Sequence, residues 1–459
     1  MRFRVEKDVL GEVKVPEDAY YGSETQRALD IFNASGMKIS KTMIYAYAVL
    51  KESAAMANVS LGKLDPKIGK AITEACKEVA NGRLSDQFNI DVFQAGAGTN
   101  LNMNLNEVIA NRAIELLHGK KGDYRLVHPN DHVNMGQSTN DTYHSAVHMA
   151  CYIDVNKKLL PSLKALHSAL NSKAREFNNV IKVGRTHLQD AVPMTLGQEF
   201  KGYAGAVAKA EENIRNSAES LLEIPLGGTA VGTGINAAKG YAKAAVANIN
   251  KILNAHFFIT DNTFKIMPNQ EDELHLSDAL KECAITVNKI ANDLRLLSSG
   301  PAGGIGEIYL PELIPGSSIM PGKINPSAAE MMNMICFQTL GYSYAIDKAA
   351  DSGQLQLNVY MPLIAHDLLF SIEIFSNGLN IFTQKCIKGI KANTKKIREN
   401  LHHDLSITTA LTRKIGYAKA AEIARLAYKS NKTVKEVCLE MGILDKKALN
   451  KLLDPKNEI

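Results

Sequence analysis

The sequence predicts a mainly α-helical protein whose central part is a bundle of long helices. Three observations carry this expectation. Between about 142 and 395, apolar residues recur at helical spacing. Leu159, Leu163, Leu166 and Leu170 share one face; Leu280, Val287 and Leu294 repeat every seven residues, with Cys283, Ile290 and Leu297 between them. Short apolar runs broken by Gly11, Pro16 and Gly22, the pattern of brief strands and turns, occupy residues 1 to about 35. The helical patterns are interrupted by a few loops rich in Gly, Pro and Asn. A helix of about 20 residues spans roughly 30 Å, and helices of that length with heptad spacing pack against similar helices. An oligomer core is therefore expected.

Composition narrows the function classes. The 459 residues are enough for about three domains, and 45% hydrophobic with 22% charged residues is ordinary for a soluble protein. The net charge of +5 is small and no dense Lys/Arg block occurs, so no nucleic acid is expected, whereas small anionic metabolites are compatible. Six scattered cysteines without a CxxC pair argue against a zinc ribbon or a disulfide framework and for buried thiols in a reducing compartment. The charged N-terminus does not resemble a signal peptide, and no run of about 18 apolar residues occurs. A cytoplasmic location without membrane contact is expected.

Along the chain, Tyr20-Tyr-Gly-Ser-Glu-Thr-Gln-Arg27 is followed by helical composition from about 40 to 118. Gly82 interrupts it, and so does Gln94-Ala-Gly-Ala-Gly-Thr-Asn-Leu-Asn-Met-Asn104. We read this second stretch as a loop able to bring backbone N–H groups to a carboxylate; a plain helix entrance is the competing reading. In His128-Pro-Asn-Asp-His-Val-Asn-Met-Gly-Gln-Ser-Thr-Asn-Asp141, the final Ser138, Thr139, Asn140 and Asp141 are all good helix caps, but only one cap is needed. Gly184-Arg-Thr-His-Leu-Gln-Asp-Ala-Val-Pro-Met-Thr195 sets Thr186 beside His187, whose imidazole is a proton-active side chain. Leu226 to Gly234 reads as a bend between helices. In the tail, Thr433 and Glu436 have capping-box spacing, and Asp445 follows Gly442 as a second cap.

The densest chemistry lies in Gly316-Ser-Ser-Ile-Met-Pro-Gly-Lys-Ile-Asn-Pro326. Its glycines and prolines exclude a continuous helix or central strand, so it is a loop. Two hydroxyls, the Lys323 cation and the Asn325 amide suit an anionic substrate. The stretch resembles the GSSxMPxKxNP signature of the aspartase/fumarase superfamily. Tyr20–Arg27, the 94–104 and 128–141 stretches, GRTHLQDAVPMTLGQE from Gly184 and the 226–234 bend also resemble that family, so the likeness covers nearly the whole chain.

The resemblance implies a three-domain, mainly α fold: 1–141, a small β element plus helices; 142–395, a central long-helix bundle forming a tetramer core; and 396–459, a small helical domain. It implies active sites shared between subunits and a small dicarboxylate substrate. Ser317 would be the general base, and His187, oriented by Glu330, would touch the substrate. Thr99, Ser138, Thr139, Asn140, Thr186, Lys323 and Asn325 would bind the substrate and stabilise an aci-carboxylate carbanion. No organic cofactor or metal is implied.

Two leaving groups are possible. Ala97, in place of a fumarase serine, and Thr139, in place of a second serine, favour elimination of ammonia from L-aspartate. Arg125, His128, Asn130 and Asp131 resemble a second anion site described for fumarases, and support the alternative, a class II fumarate hydratase acting on L-malate. From the residues nearest the substrate, the ammonia-lyase is the leading expectation. A non-catalytic helical scaffold of the same fold is the remote alternative.

Overall fold

A computed structural model describes residues 2–458. It is 62% helical, and the chain divides into two compact units. One comprises residues up to 161, 212–282 and 337–375; the other comprises 162–211, 283–336 and 376 onward. The divisions fall within the long helices Leu160–Glu176, Leu196–Ser220, Glu271–Leu297, Ser327–Asp351 and Met361–Lys385.

The first unit starts with an antiparallel hairpin, Phe3–Asp8 with Gly11–Pro16, followed by a short helix, Ser23–Ile31. The Tyr20–Arg27 motif enters this helix, and its role here is architectural. The buried Glu107 carboxylate accepts from the N–H groups of Gly22 (2.8 Å), Glu24 (2.9 Å) and Thr25 (3.1 Å), the donors a helix start leaves unpaired. Lys41–Ser60 is the central helix of this unit and packs against Pro66–Ala80, Thr139–Asp154 and Tyr241–Leu253. Its apolar residues Tyr47, Leu50 and Ala54 are fully buried.

In the second unit, the 184–195 interruption is a second hairpin, Ile181–Thr186 with Gln189–Thr195, against which Thr394–His402 packs. The C-terminal helices close a separate small core around Leu411, Ile423, Ala427, Cys438 and Leu449. Both caps expected there are present: Thr433 and Glu436 form a capping box, and Asp445 accepts from Lys447 and Ala448.

The heptad positions are core. Leu159, Leu163, Leu166 and Leu170 are buried, as are Leu280, Cys283, Val287, Ile290, Leu294 and Leu297. All six cysteines are buried and free. Among the described residues, no helix is long and apolar enough to cross a membrane.

Candidate active site

The expected site residues fall into two clusters, one in each unit. In the first, Ala97 (φ 58°) and Gly98 (φ 80°) take left-handed conformations that turn the chain into the helix Thr99–Leu116. Gly98 is required twice over, because a Cβ there would lie 2.1 Å from the Tyr143 ring in a conformation side chains resist. The expectation of a loop through Asn104 is corrected: Thr99, Asn100, Asn102 and Asn104 belong to the helix. Asparagine is a poor helix former, but here tertiary hydrogen bonds decide. Asn102 accepts from Tyr47 Oη (2.8 Å) and donates to Thr139 Oγ1 (3.0 Å); Asn104 donates to the Gln87 carbonyl (3.1 Å).

Ser138 caps the helix Thr139–Asp154. Its Oγ accepts from Asn140 N (3.3 Å), while Asp141 accepts from Ser138 N (2.9 Å) and from Gly227 N (2.8 Å). Burial raises the Asp141 carboxyl to about 6. The Asn140 side chain donates to the Ala230 carbonyl (2.7 Å), tying this helix start to the 226–234 bend. Thus one of the four polar residues is the cap, and Thr139 is buried, at 9% exposure.

The four residues of the suggested second anion site behave differently. Arg125 is exposed and paired with Asp123 (2.8 Å), whereas His128 Nδ1 accepts from the N–H groups of Asn130 (3.1 Å) and Asp131 (3.2 Å).

In the second unit, His187 (φ 56°) and Leu188 (φ 58°) form the exposed tip of the 181–195 hairpin, with Thr186 paired to Gln189. A buried charge network holds the hairpin base. Glu307, fully buried, accepts from Arg185 Nη2 (2.7 Å) and Asn400 Nδ2 (3.1 Å) and pairs with Lys182 Nζ (3.0 Å). Burial works to raise the Glu307 carboxyl, but the Arg185 hydrogen bond and the two cations outweigh it and hold it below the usual range. Lys182 and Glu307 were not singled out from the sequence. The signal was a charged residue inside a strand otherwise apolar toward the core.

The Gly316–Pro326 stretch is a loop, closed at its neck by Gly316 N donating to the Lys323 carbonyl (2.8 Å) and Asn325 Nδ2 donating to the Gly316 carbonyl (2.7 Å). A Cβ on Gly316 would sit 2.2 Å from that Lys323 oxygen. Ser317 Oγ accepts from two backbone N–H groups, those of Ile319 (3.2 Å) and Met320 (2.9 Å). Lys323 is exposed, and Glu330 lies in the first turn of Ser327–Asp351. Among the described residues, no hydrogen bond or ion pair within this chain joins His187 to Glu330, nor the hairpin tip to the loop. No group of three or more metal-ligating side chains occurs among them either.

Comparison with known proteins agrees with these motifs. The family described as "Lyase" matches residues 11–341, and that described as "Fumarase C C-terminus" matches residues 407–457. The chain is 45% identical to a class II fumarate hydratase of Neisseria meningitidis, over 100% of this chain and 99% of that one. It is 44% identical to an aspartate ammonia-lyase of a Bacillus species, over 98% and 96% of the two chains. The crystal structure of the class II fumarase from Schistosoma mansoni superposes with a TM-score of 0.96 at 38% identity, covering 99% and 98%. Relatives named fumarate hydratase predominate among the most similar ones, so ammonia-lyase chemistry is not favoured over hydratase chemistry. A likeness this extensive in both sequence and fold makes the chain a lyase and a member of the aspartase/fumarase superfamily.

Proposed function

We propose that the chain interconverts a 2-substituted succinate and fumarate, with Ser317 as the base, and that L-malate and water are its substrate and leaving group. The observation that carries the base assignment is the pair of N–H groups donated to Ser317 Oγ. A serine hydroxyl is a poor base unless its alkoxide is favoured; two backbone donors on Oγ favour it, and Lys323 carries a positive charge in the same loop. The Ser317 alkoxide takes the proton from the carbon next to one carboxylate. The electron pair moves into that carboxylate as an aci-form dianion, then returns to form the double bond as the hydroxyl on the neighbouring carbon takes up a proton from the His187 side and leaves as water. Thr99, Ser138, Thr139, Asn140, Thr186, Lys323 and Asn325 supply donors to the carboxylates, and His187, oriented by Glu330, contacts the leaving-group side.

The choice of water follows the relatives and reverses the order read from the sequence. Ammonia from L-aspartate is the second reading. It is favoured by Ala97, buried at 4% and without a hydroxyl to offer, and by Thr139. We further propose a homotetramer with sites shared between subunits: Ile285, Met334, Phe337 and Tyr344 are at least half exposed on the long helices, apolar surface that an oligomer would cover. Arg125, His128, Asn130 and Asp131 would form a second anion site in it. Six free buried cysteines fit the reducing cytoplasm. Ser317→Ala should lower fumarate formation by about a thousandfold with an unchanged melting temperature. A fully active alanine variant would remove Ser317 from its role.

A further inference from the structure

Lys51 lies in the middle of Lys41–Ser60, is 0% exposed, and has no part in the chemistry above. A buried amine must have acceptors. It has two, Asn134 Oδ1 (2.9 Å) and Gln137 Oε1 (2.9 Å). Burial pushes its ammonium down to about 7, against the pull of Asp141 and Cys76; charged or neutral, the amine has a hydrogen for each oxygen. Both amides must therefore turn their oxygens toward Lys51.

That choice propagates. Asn134 Oδ1 also accepts from Asn102 Nδ2 (3.3 Å) and Asn106 Nδ2 (3.2 Å). Asn102, with its oxygen held by Tyr47 Oη, has Nδ2 left to donate to Thr139 Oγ1 at 3.0 Å. The Thr139 oxygen is thus occupied as an acceptor, and among the described residues nothing accepts its proton. Lys51 is the nearest of the three donors to Asn134 Oδ1, and Asn134 Nδ2 donates to the Gln137 carbonyl (3.3 Å); without Lys51 only these longer contacts would oppose a flip that sets the Asn134 NH2 against the Asn102 donor.

We propose that Lys51 is a positioning residue for the Thr139 hydroxyl: through Asn134 and Asn102 it fixes that hydroxyl's direction and leaves its proton for a carboxylate of the dicarboxylate ligand. This rests on Thr139 being a substrate contact. The relay acts on binding more than on turnover, because Thr139 donates to a carboxylate already charged in the ground state.

The test is titration calorimetry of the full-length protein with succinate, which has both carboxylates and no leaving group, together with KM and kcat. Lys51→Met and Asn134→Leu should each weaken succinate binding and raise KM by about tenfold, with a smaller change in kcat. Asn134→Asp keeps an acceptor for the same donors and should bind succinate to within about threefold of the parent. Wild-type succinate affinity in either Lys51→Met or Asn134→Leu would overturn the relay. So would an Asn134→Asp variant as weak as Asn134→Leu, because orientation would then not be the cause. Should Lys51→Met not fold, the two Asn134 variants decide. Thr139→Val separates the premises: weakened binding there with intact Lys51→Met sinks the relay alone, whereas unchanged binding in Thr139→Val sinks the substrate contact and the relay together.

Discussion

The two clusters of site residues are built in opposite ways. Around Thr139, the polar groups sit on helices and are largely buried, and Asn102, Asn134, Asn140 and Lys51 are each held by named partners. Around Ser317, the chain is a loop closed on itself by backbone hydrogen bonds, with Ile319 83% exposed and Met320 48% exposed. The first arrangement suits groups that must hold a fixed carboxylate, since preorganised donors lose little on binding. The second suits a base that approaches substrate only when the loop closes and water is excluded. Under the proposed function, the first cluster supplies binding donors alone, whereas the second joins binding donors, Thr186, Lys323 and Asn325, to the base.

Breaking each cluster at its glycine separates the two roles. Gly98→Ala forces a side chain into the Tyr143 ring at a positive φ, and should destabilise the fold by about 3 kcal/mol, read as a lowered denaturation midpoint. Gly316→Ala presses on the Lys323 carbonyl in an exposed loop that can shift. Its kcat should fall about tenfold or more while the melting temperature holds. Equal stability losses in both would erase the contrast.

A smaller effect tests how firmly the first cluster's helix is held. His148, two turns along the helix from Thr139, is fully buried between the Glu223 carbonyl (2.8 Å) and the Glu273 carboxylate (3.1 Å). Burial works to lower its pKa, but Glu273 outweighs it, with Asp272 adding, and raises it from 6.5 to about 9. A histidine raised on folding gives stability that is whole below 6.5 and lost as pH rises through about 9. Lys51, lowered on folding, acts with the opposite sign over part of that window, so the wild-type curve alone does not isolate His148. The melting-temperature advantage of the wild type over His148→Gln should therefore shrink as pH rises from 6.5 to 9. A constant difference would show that the pair is not ionised.

Much of the fold was legible, since heptad leucines, capping boxes and the Gly/Pro loop are local signals. The 181–195 hairpin was not. Its alternation is broken by a bulge between Val183 and Gly184 and by Lys182, buried because Glu199 and Glu307 balance its charge. The helix from Thr99 was masked by three asparagines, Asn100, Asn102 and Asn104, whose propensities argue for a loop and whose partners lie up to 55 residues away in sequence, as for Tyr47 and Asn102. The Ser317, Lys323 and Asn325 loop could be read directly because its residues are adjacent. The Lys51 relay could not, because it joins four separate segments through side-chain polarity.

The measurement that bears most directly on the central claim is the ultraviolet absorbance of fumarate when the purified protein is given L-malate and L-aspartate in parallel. Absorbance should rise with L-malate, and Ser317→Ala should slow that rise about a thousandfold. A rise with L-aspartate alone would keep the lyase but make ammonia the leaving group, with Ala97 and Thr139 as the residues responsible. No rise with either substrate would contradict the account and leave a helical scaffold with a preserved but idle site.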